Sequence, residues 1–290
     1  CRFSVISELT FFVSVGGKMT LPLYIIIGAG LIFIVWIFYA DIKKDIRRKK
    51  IIKEPFPAQF VEILEKRLPF YSRLNLDLKA MLHGKILVFL DEVRFEGCAC
   101  QEITDEIKLT ISGQASLLLL NDESSFFNLL KVILVYPSTY VAKSQQPDGT
   151  VEESVRLGES WMTGEVILAW DDVLHGIKNT SDGQDVVIHE FAHQLDQQSG
   201  AGNGAPVLHG STSYASWARV LGHEYKELKK RKQNFKKTLM DKYGATNPAE
   251  FFAVATETFF EKPEQMQERH PELFEELKKY YRIDPLIFAD

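Results

Sequence analysis

His189-Glu190-Phe191-Ala192-His193 places two imidazoles and a carboxylate within five residues. On a helix, positions i and i+4 share a face, so both imidazoles can reach one zinc ion while Glu190 stands beside the water that the metal activates. The chemistry implied is peptide-bond hydrolysis, with His189 and His193 as metal ligands and Glu190 as general base. Two histidines leave a catalytic zinc short of a third protein ligand, and the fourth position must stay open for water.

The elements that must position these residues can be read from periodicity and turn formers. The motif helix is expected over Gly183–Gln198, with Ser181 or Asp182 as N-cap and Ser199-Gly200 as its stop. Ahead of it, apolar residues at helical spacing predict helices over residues 58–67, 75–92 and 102–120. VILVYPSTYV (132–141) and VILAW (166–170) are rich in β-branched and aromatic residues and predict strands, with a turn over 145–153 between them. Four glycines and a proline between 200 and 210 predict a loop, and helices are expected over Tyr214–Leu239, Pro248–Phe260 and within Pro263–Tyr281. The fold class is α+β, mainly helical with a small β-sheet.

Composition narrows the function classes. A chain of 290 residues with 46% hydrophobic and 25% charged content can bury a full core, and its net charge of -5 argues against direct nucleic-acid binding. The lysines of the 214–239 helix interleave with Glu224 and Glu227 and read as a solvated face. Three cysteines, Cys1, Cys98 and Cys100, make no disulfide framework, which fits a reducing compartment, and the C-x-C pair reads as two small thiols.

Leu21–Ala40 carries no charged residue, and about 20 such residues suffice to cross a hydrocarbon core of ~30 Å. A single transmembrane helix is expected over 19–41, with Tyr24, Trp36 and Tyr39 as interfacial anchors. Lys43, Lys44, Arg47, Arg48, Lys49 and Lys50 follow it, so the positive-inside rule faces the rest of the chain to the cytoplasm. The expected organisation is an N-terminal extension of uncertain status (1–18), the transmembrane helix (19–41), a basic juxtamembrane linker (42–57) and a zinc metallopeptidase domain (58–290).

The motif region resembles the gluzincins, in which the third ligand is a Glu on a later helix. Glu250 and Glu257 qualify: they lie seven residues apart and therefore on roughly one helix face. Phe251, Phe252, Val254 and Phe259 around them imply burial, where a carboxylate without a cation or donors is costly.

Further residues carry a family resemblance. HEFAHQLD (189–196), FEG (95–97) leading to EITDE (102–106), QASLLLL (114–120) and NPAEFFAV (247–254) occur in the order of the Mlc titration factor A family of zinc peptidases, and the likeness spans roughly residues 58–285. That family is similar in its catalytic half to the lethal factor of anthrax toxin, where a Tyr-Gly lies seven residues before the ligand Glu. Tyr243-Gly244 stands at that distance from Glu250. The resemblance implies a zincin-like domain, Zn2+ as cofactor, Glu250 as third ligand, Tyr243 as donor to a developing oxyanion and Glu257 as a residue orienting a ligand. Asp196, three residues after His193, is a further candidate to fix a ligand imidazole. His209 and His223 match no ligand position. The implied function is an aminopeptidase-like metallopeptidase acting on peptide or protein substrates, with extended substrate adding to the strand at 166–170. The alternative is a regulatory binding protein that sequesters a transcriptional repressor.

Overall fold

The apolar run VILVY is a strand of a small mixed sheet in the computed structural model, which describes residues 21–121, 126–138, 140–145, 151–156, 158–161, 164–208 and 213–288. The described elements run α1 (Leu21–Ile51), α2 (Ala58–Arg67), α3 (Leu76–Glu92), β1 (Arg94–Gly97), α4 (Asp105–Leu117), β2 (Val132–Tyr136), β3 (Tyr140–Gln145), β4 (Val151–Arg156), β5 (Gly158–Trp161) and β6 (Glu165–Ala169). They continue as α5 (Trp170–Lys178), α6 (Val186–Gln197), α7 (Tyr214–Gln233), α8 (Pro248–Glu261), α9 (Pro263–Arg269) and α10 (Pro271–Tyr281). The chain is mainly helical, as its sequence implies.

One sheet has the order β1-β2-β6-β5, with β1, β2 and β6 parallel and β5 joining antiparallel. Ile133 pairs with Val166 and Val135 with Leu168, and all four are fully buried. Burial on both faces is why these parallel strands read as continuous apolar runs. β3 and β4 form a separate antiparallel pair. Both sides of β6 are taken, by β2 and by β5. The strand at 166–170 therefore cannot accept an added substrate strand, and the edge beside it, among the described residues, is β5.

Several boundaries differ from expectation for local reasons. The run 132–141 is two strands, because Pro137 ends β2 and Tyr140 opens β3. The expected turn at 145–153 is shorter, since Gln145 pairs with Val151; residues 146–150 lie outside the described ones. Trp170 belongs to α5, whose first turn holds Asp171 and Asp172, where a helix dipole favours acidic side chains. The helix expected to reach Leu239 stops at Gln233, and Phe235 takes φ 52 beyond it.

The chain divides into two units, residues 1–50 and 51–290. Of the first, the described part is one helix that runs on to Ile51, through much of the expected linker. Ile25, Ile26, Ile32, Phe33, Val35 and Tyr39 on it are exposed. Among the described residues no helix is long and apolar enough to cross a membrane. The expected span over 19–41 thus lacks structural support: residues 1–20 and the side chains at 21–24, 27, 31, 34, 36–38 and 40, Tyr24 and Trp36 among them, lie outside the described part.

The second unit has one continuous core, in which Phe191, Trp217, Phe251, Phe252, Phe259 and Phe274 are among the largest fully buried side chains. α8 is buried from Phe251 to Phe260. Its threonines are satisfied locally: Thr256 Oγ1 donates to the Phe252 carbonyl at 2.9 Å and Thr258 Oγ1 to that of Val254 at 2.8 Å. A polar helix position can thus be buried without an orphaned donor.

Candidate metal centre

α6 begins at Val186 rather than Gly183. Gly183 has φ +77, a left-handed conformation that favours glycine. The turn presents the amides of Gly183 and Gln184 to Glu261 Oε2 at 2.6 and 2.9 Å, which keeps both residues in the loop. Asp185 is the N-cap in place of Ser181 or Asp182, its Oδ1 accepting from Ile188 N at 3.0 Å. Val187, Ile188, Phe191, Ala192 and Leu195 then bury one stripe of the helix, leaving His189 and His193 side by side with ring centroids 4.9 Å apart.

α8 supplies the carboxylate. Asn247 caps it, accepting from Glu250 N at 2.9 Å, and Pro248 occupies its first turn with Glu250. The glycine loop after α6 packs on this start. At Gly204, φ +79, a Cβ would lie 2.3 Å from the Pro248 carbonyl oxygen. Trp217 Nε1 donates to the Gly204 carbonyl at 2.9 Å and Asp196 Oδ2 accepts from Gly204 N at 2.7 Å. Asp196 is therefore a buried brace for that loop, and its hydrogen bonds go there rather than to an imidazole.

Three donor atoms converge. His189 Nε2 lies 3.1 Å and His193 Nε2 3.2 Å from Glu250 Oε2, and the two nitrogens are 3.2 Å apart. Ligands of a tetrahedral zinc at about 2.0–2.1 Å stand roughly 3.3 Å from one another. The two-nitrogen, one-oxygen set thus fits a divalent metal ion, and His189, His193 and Glu250 can hold one together. Glu257 lies two turns deeper, with Oε1 2.6 Å from His189 Nδ1 and Oε2 accepting from Asp185 N at 2.9 Å. A carboxylate on Nδ1 fixes the tautomer that leaves the Nε2 lone pair toward the metal position. The structure thus separates the two glutamates that helical spacing leaves equivalent.

The electrostatics favour a bound cation. Burial disfavours a charged His189, yet Glu257, then Glu250 and Glu190, push its pKa well above the ordinary value. Burial would raise the Glu250 carboxyl, but hydrogen bonds to His189 and His193 hold it well below the usual range. Glu190 is buried beside them; desolvation lifts it to about 6 against the lowering effect of both histidines. Tyr243, in the short helical turn Lys242–Ala245, has its ring centroid 6.1 Å from that of His189 and is half exposed. His223 is exposed on α7, and His209 lies outside the described residues.

Asp185, Gln114 and Asn247 support the site without matching any ligand pattern; the available signal was Asp185 as a capping residue type four positions before His189. Replacing Glu257 by Gln should weaken metal binding by about 10–100-fold, read by competition with a chromophoric chelator. An affinity equal to wild type would remove Glu257 from the site.

Glu261 adds a pH dependence. Burial first, then the charge of Asp185, raises its carboxyl from the ordinary 4.5 to about 9. Between those values the folded chain keeps a proton that the unfolded chain has released, so stability falls as pH rises through this window. Glu261→Gln keeps an acceptor for the two loop amides and should flatten that decline in urea midpoints measured from pH 5 to 9. A variant as pH-sensitive as wild type would assign the effect to another group.

Known sequences bear on this geometry. Residues 43–282 match the profile of the glucose-regulated metallo-peptidase M90 family. An uncharacterized protein of Synechocystis sp. is 42% identical over 272 residues, covering 92% of this chain and 99% of its own length. Mlc titration factor A of Yersinia pestis and of Yersinia pseudotuberculosis is 37% identical over 161 residues, 53% of this chain and 58% of theirs, so the chain matches a little over half of those relatives. With the profile covering most of the chain and a possible metal site inside the matched range, the protein belongs to the glucose-regulated metallo-peptidase M90 family.

Proposed function

We propose that the protein is a zinc-dependent peptidase of the gluzincin type. The observation that carries this reading is the convergence of His189 Nε2 and His193 Nε2, from the helix that also bears Glu190, with Glu250 Oε2 from α8. Zinc held there supplies Lewis acidity to a water and to the scissile carbonyl. Glu190 takes the proton from the attacking water and passes it to the leaving amine. The Tyr243 hydroxyl donates to the developing oxyanion, a role in keeping with the likeness to the lethal factor catalytic domain. The edge strand β5 lies against α6, with Gln194 Nε2 donating to Ser160 Oγ at 2.7 Å, and an extended peptide would add to it. Incubating the full chain with a peptide library, with and without a zinc chelator, tests the reading and separates aminopeptidase from endopeptidase action. Cleavage that survives complete zinc removal would sink it.

A second role, sequestering a transcriptional repressor, is favoured by the likeness to Mlc titration factor A. Co-elution of the full chain with purified Mlc supports that role, and separate elution at micromolar concentration contradicts it. The uncharged run 21–40 and the basic residues after it are the sequence features that support a single-pass membrane location with the peptidase domain toward the cytoplasm. Membrane fractionation with protease protection tests this, and full recovery in the soluble fraction would refute it.

A further inference from the structure

The far end of α7 stands clear of the core. Leu228 is its last buried residue, and all nine residues from Lys229 to Lys237 are exposed. Six of the nine are lysine or arginine and none is acidic, a concentration of positive charge in a chain of net charge -5. The glutamates that interleave with the lysines in sequence do not neutralise this tip. Glu224 turns to His270 at 2.8 Å, and Glu227 stands 3.8 Å from Lys230 in a solvent-exposed pair of the kind that is weak in water. Asp182 and Asp241 share an open recess with Lys237, and they accept from Gln184 N and Tyr243 N.

The turn that closes the helix holds an aromatic ring in solvent. Lys236 N donates to the Arg231 carbonyl at 3.0 Å and Phe235 N to that of Lys232 at 3.2 Å, the paired bonds of a Schellman turn. Phe235 fills its left-handed position, φ 52, where glycine is usual and a bulky side chain is strained. It is 90% exposed, more than any other large apolar side chain among the described residues. Water offers nothing to a bare phenyl ring, whereas an anionic bilayer offers apolar depth beneath a layer of phosphates.

We propose that Lys229–Lys237 docks on an anionic lipid surface, with Phe235 entering the headgroup layer and the lysines and Arg231 around it meeting lipid phosphates. Single-stranded nucleic acid also presents phosphates, but its binding sites are grooves that track the backbone, and this tip is a projection. The proposal does not depend on whether residues 21–40 span a bilayer. Tyr243 follows Lys237 by six residues, so docking holds the edge of the metal centre within about 20 Å of chain from a lipid contact.

Phe235→Trp in the full chain reports the docking directly. The variant is mixed with vesicles of phosphatidylcholine alone and of equal parts phosphatidylcholine and phosphatidylglycerol, and wild-type emission is subtracted to remove the native tryptophans. The difference emission should shift to the blue, and be quenched by brominated acyl chains, on the anionic vesicles alone. That contrast holds whether or not another segment already anchors the chain. Lys236→Gln with Lys237→Gln, both at exposed positions, should remove most of the shift in the same background. Salt at about 1 M, where the Debye length is about 3 Å, should do the same. An unshifted emission on anionic vesicles, an equal shift on both vesicle types, or a shift that the double variant and high salt leave unchanged would overturn the proposal. A response to single-stranded RNA with none to the vesicles would overturn it in favour of nucleic acid.

Discussion

Glu190→Gln is expected to lower kcat by about 10²- to 10⁴-fold while metal content stays at the wild-type value and the thermal midpoint does not fall. The amide keeps the shape of the side chain but cannot accept the proton of the attacking water. Glu190 is buried, so the exchange also removes a desolvated carboxylate whose pKa burial has raised to about 6. Loss of that charge relieves the fold rather than straining it. A drop in activity with parallel loss of metal or fold would show a structural role instead. Retained turnover would remove Glu190 from the mechanism.

The largest effect on stability should come from Phe191→Ala, inside the motif yet on the opposite face from its histidines. Phe191 is fully buried, edge-on to Phe127 at 4.8 Å between ring centroids and 5.7 Å from Phe89. Truncating a buried phenylalanine costs about 3–5 kcal/mol, from lost transfer energy and the cavity left behind. Domains of ordinary stability have about 5–15 kcal/mol in total, so the variant should be marginal. Urea denaturation should show a much lower midpoint with an unchanged slope, and saturating zinc should recover part of the loss by binding only the folded state. A loss under about 1 kcal/mol would mean that α6 is held by something other than its apolar stripe.

Legibility in the sequence followed the range of the interaction. The two histidines and Glu190 lie within one helical turn, so a local pattern reveals them. Glu250 and Glu257 share a helix face, and spacing alone could not choose between them. Their difference is one of depth, Glu250 in the first turn meeting both Nε2 atoms and Glu257 reaching Nδ1 from below. Asp196 has the right offset for holding an imidazole, but a loop amide claims it, a contact set by how Gly204 packs on Pro248. The strand at 166–170 was readable as a strand. Its place between β2 and β5 was not, because strand order depends on pairings distant in sequence. β1, four residues long with mostly exposed side chains, has too little periodicity to announce itself.

Zinc analysis of the purified full chain by mass spectrometry, beside Glu250→Ala and Glu257→Ala, tests the three-donor centre most directly. Wild type should carry about one zinc ion per chain after dialysis, Glu250→Ala almost none and Glu257→Ala an intermediate amount that rises with added zinc. Full zinc occupancy in Glu250→Ala, or a metal-free wild type under zinc-replete conditions, would contradict the account.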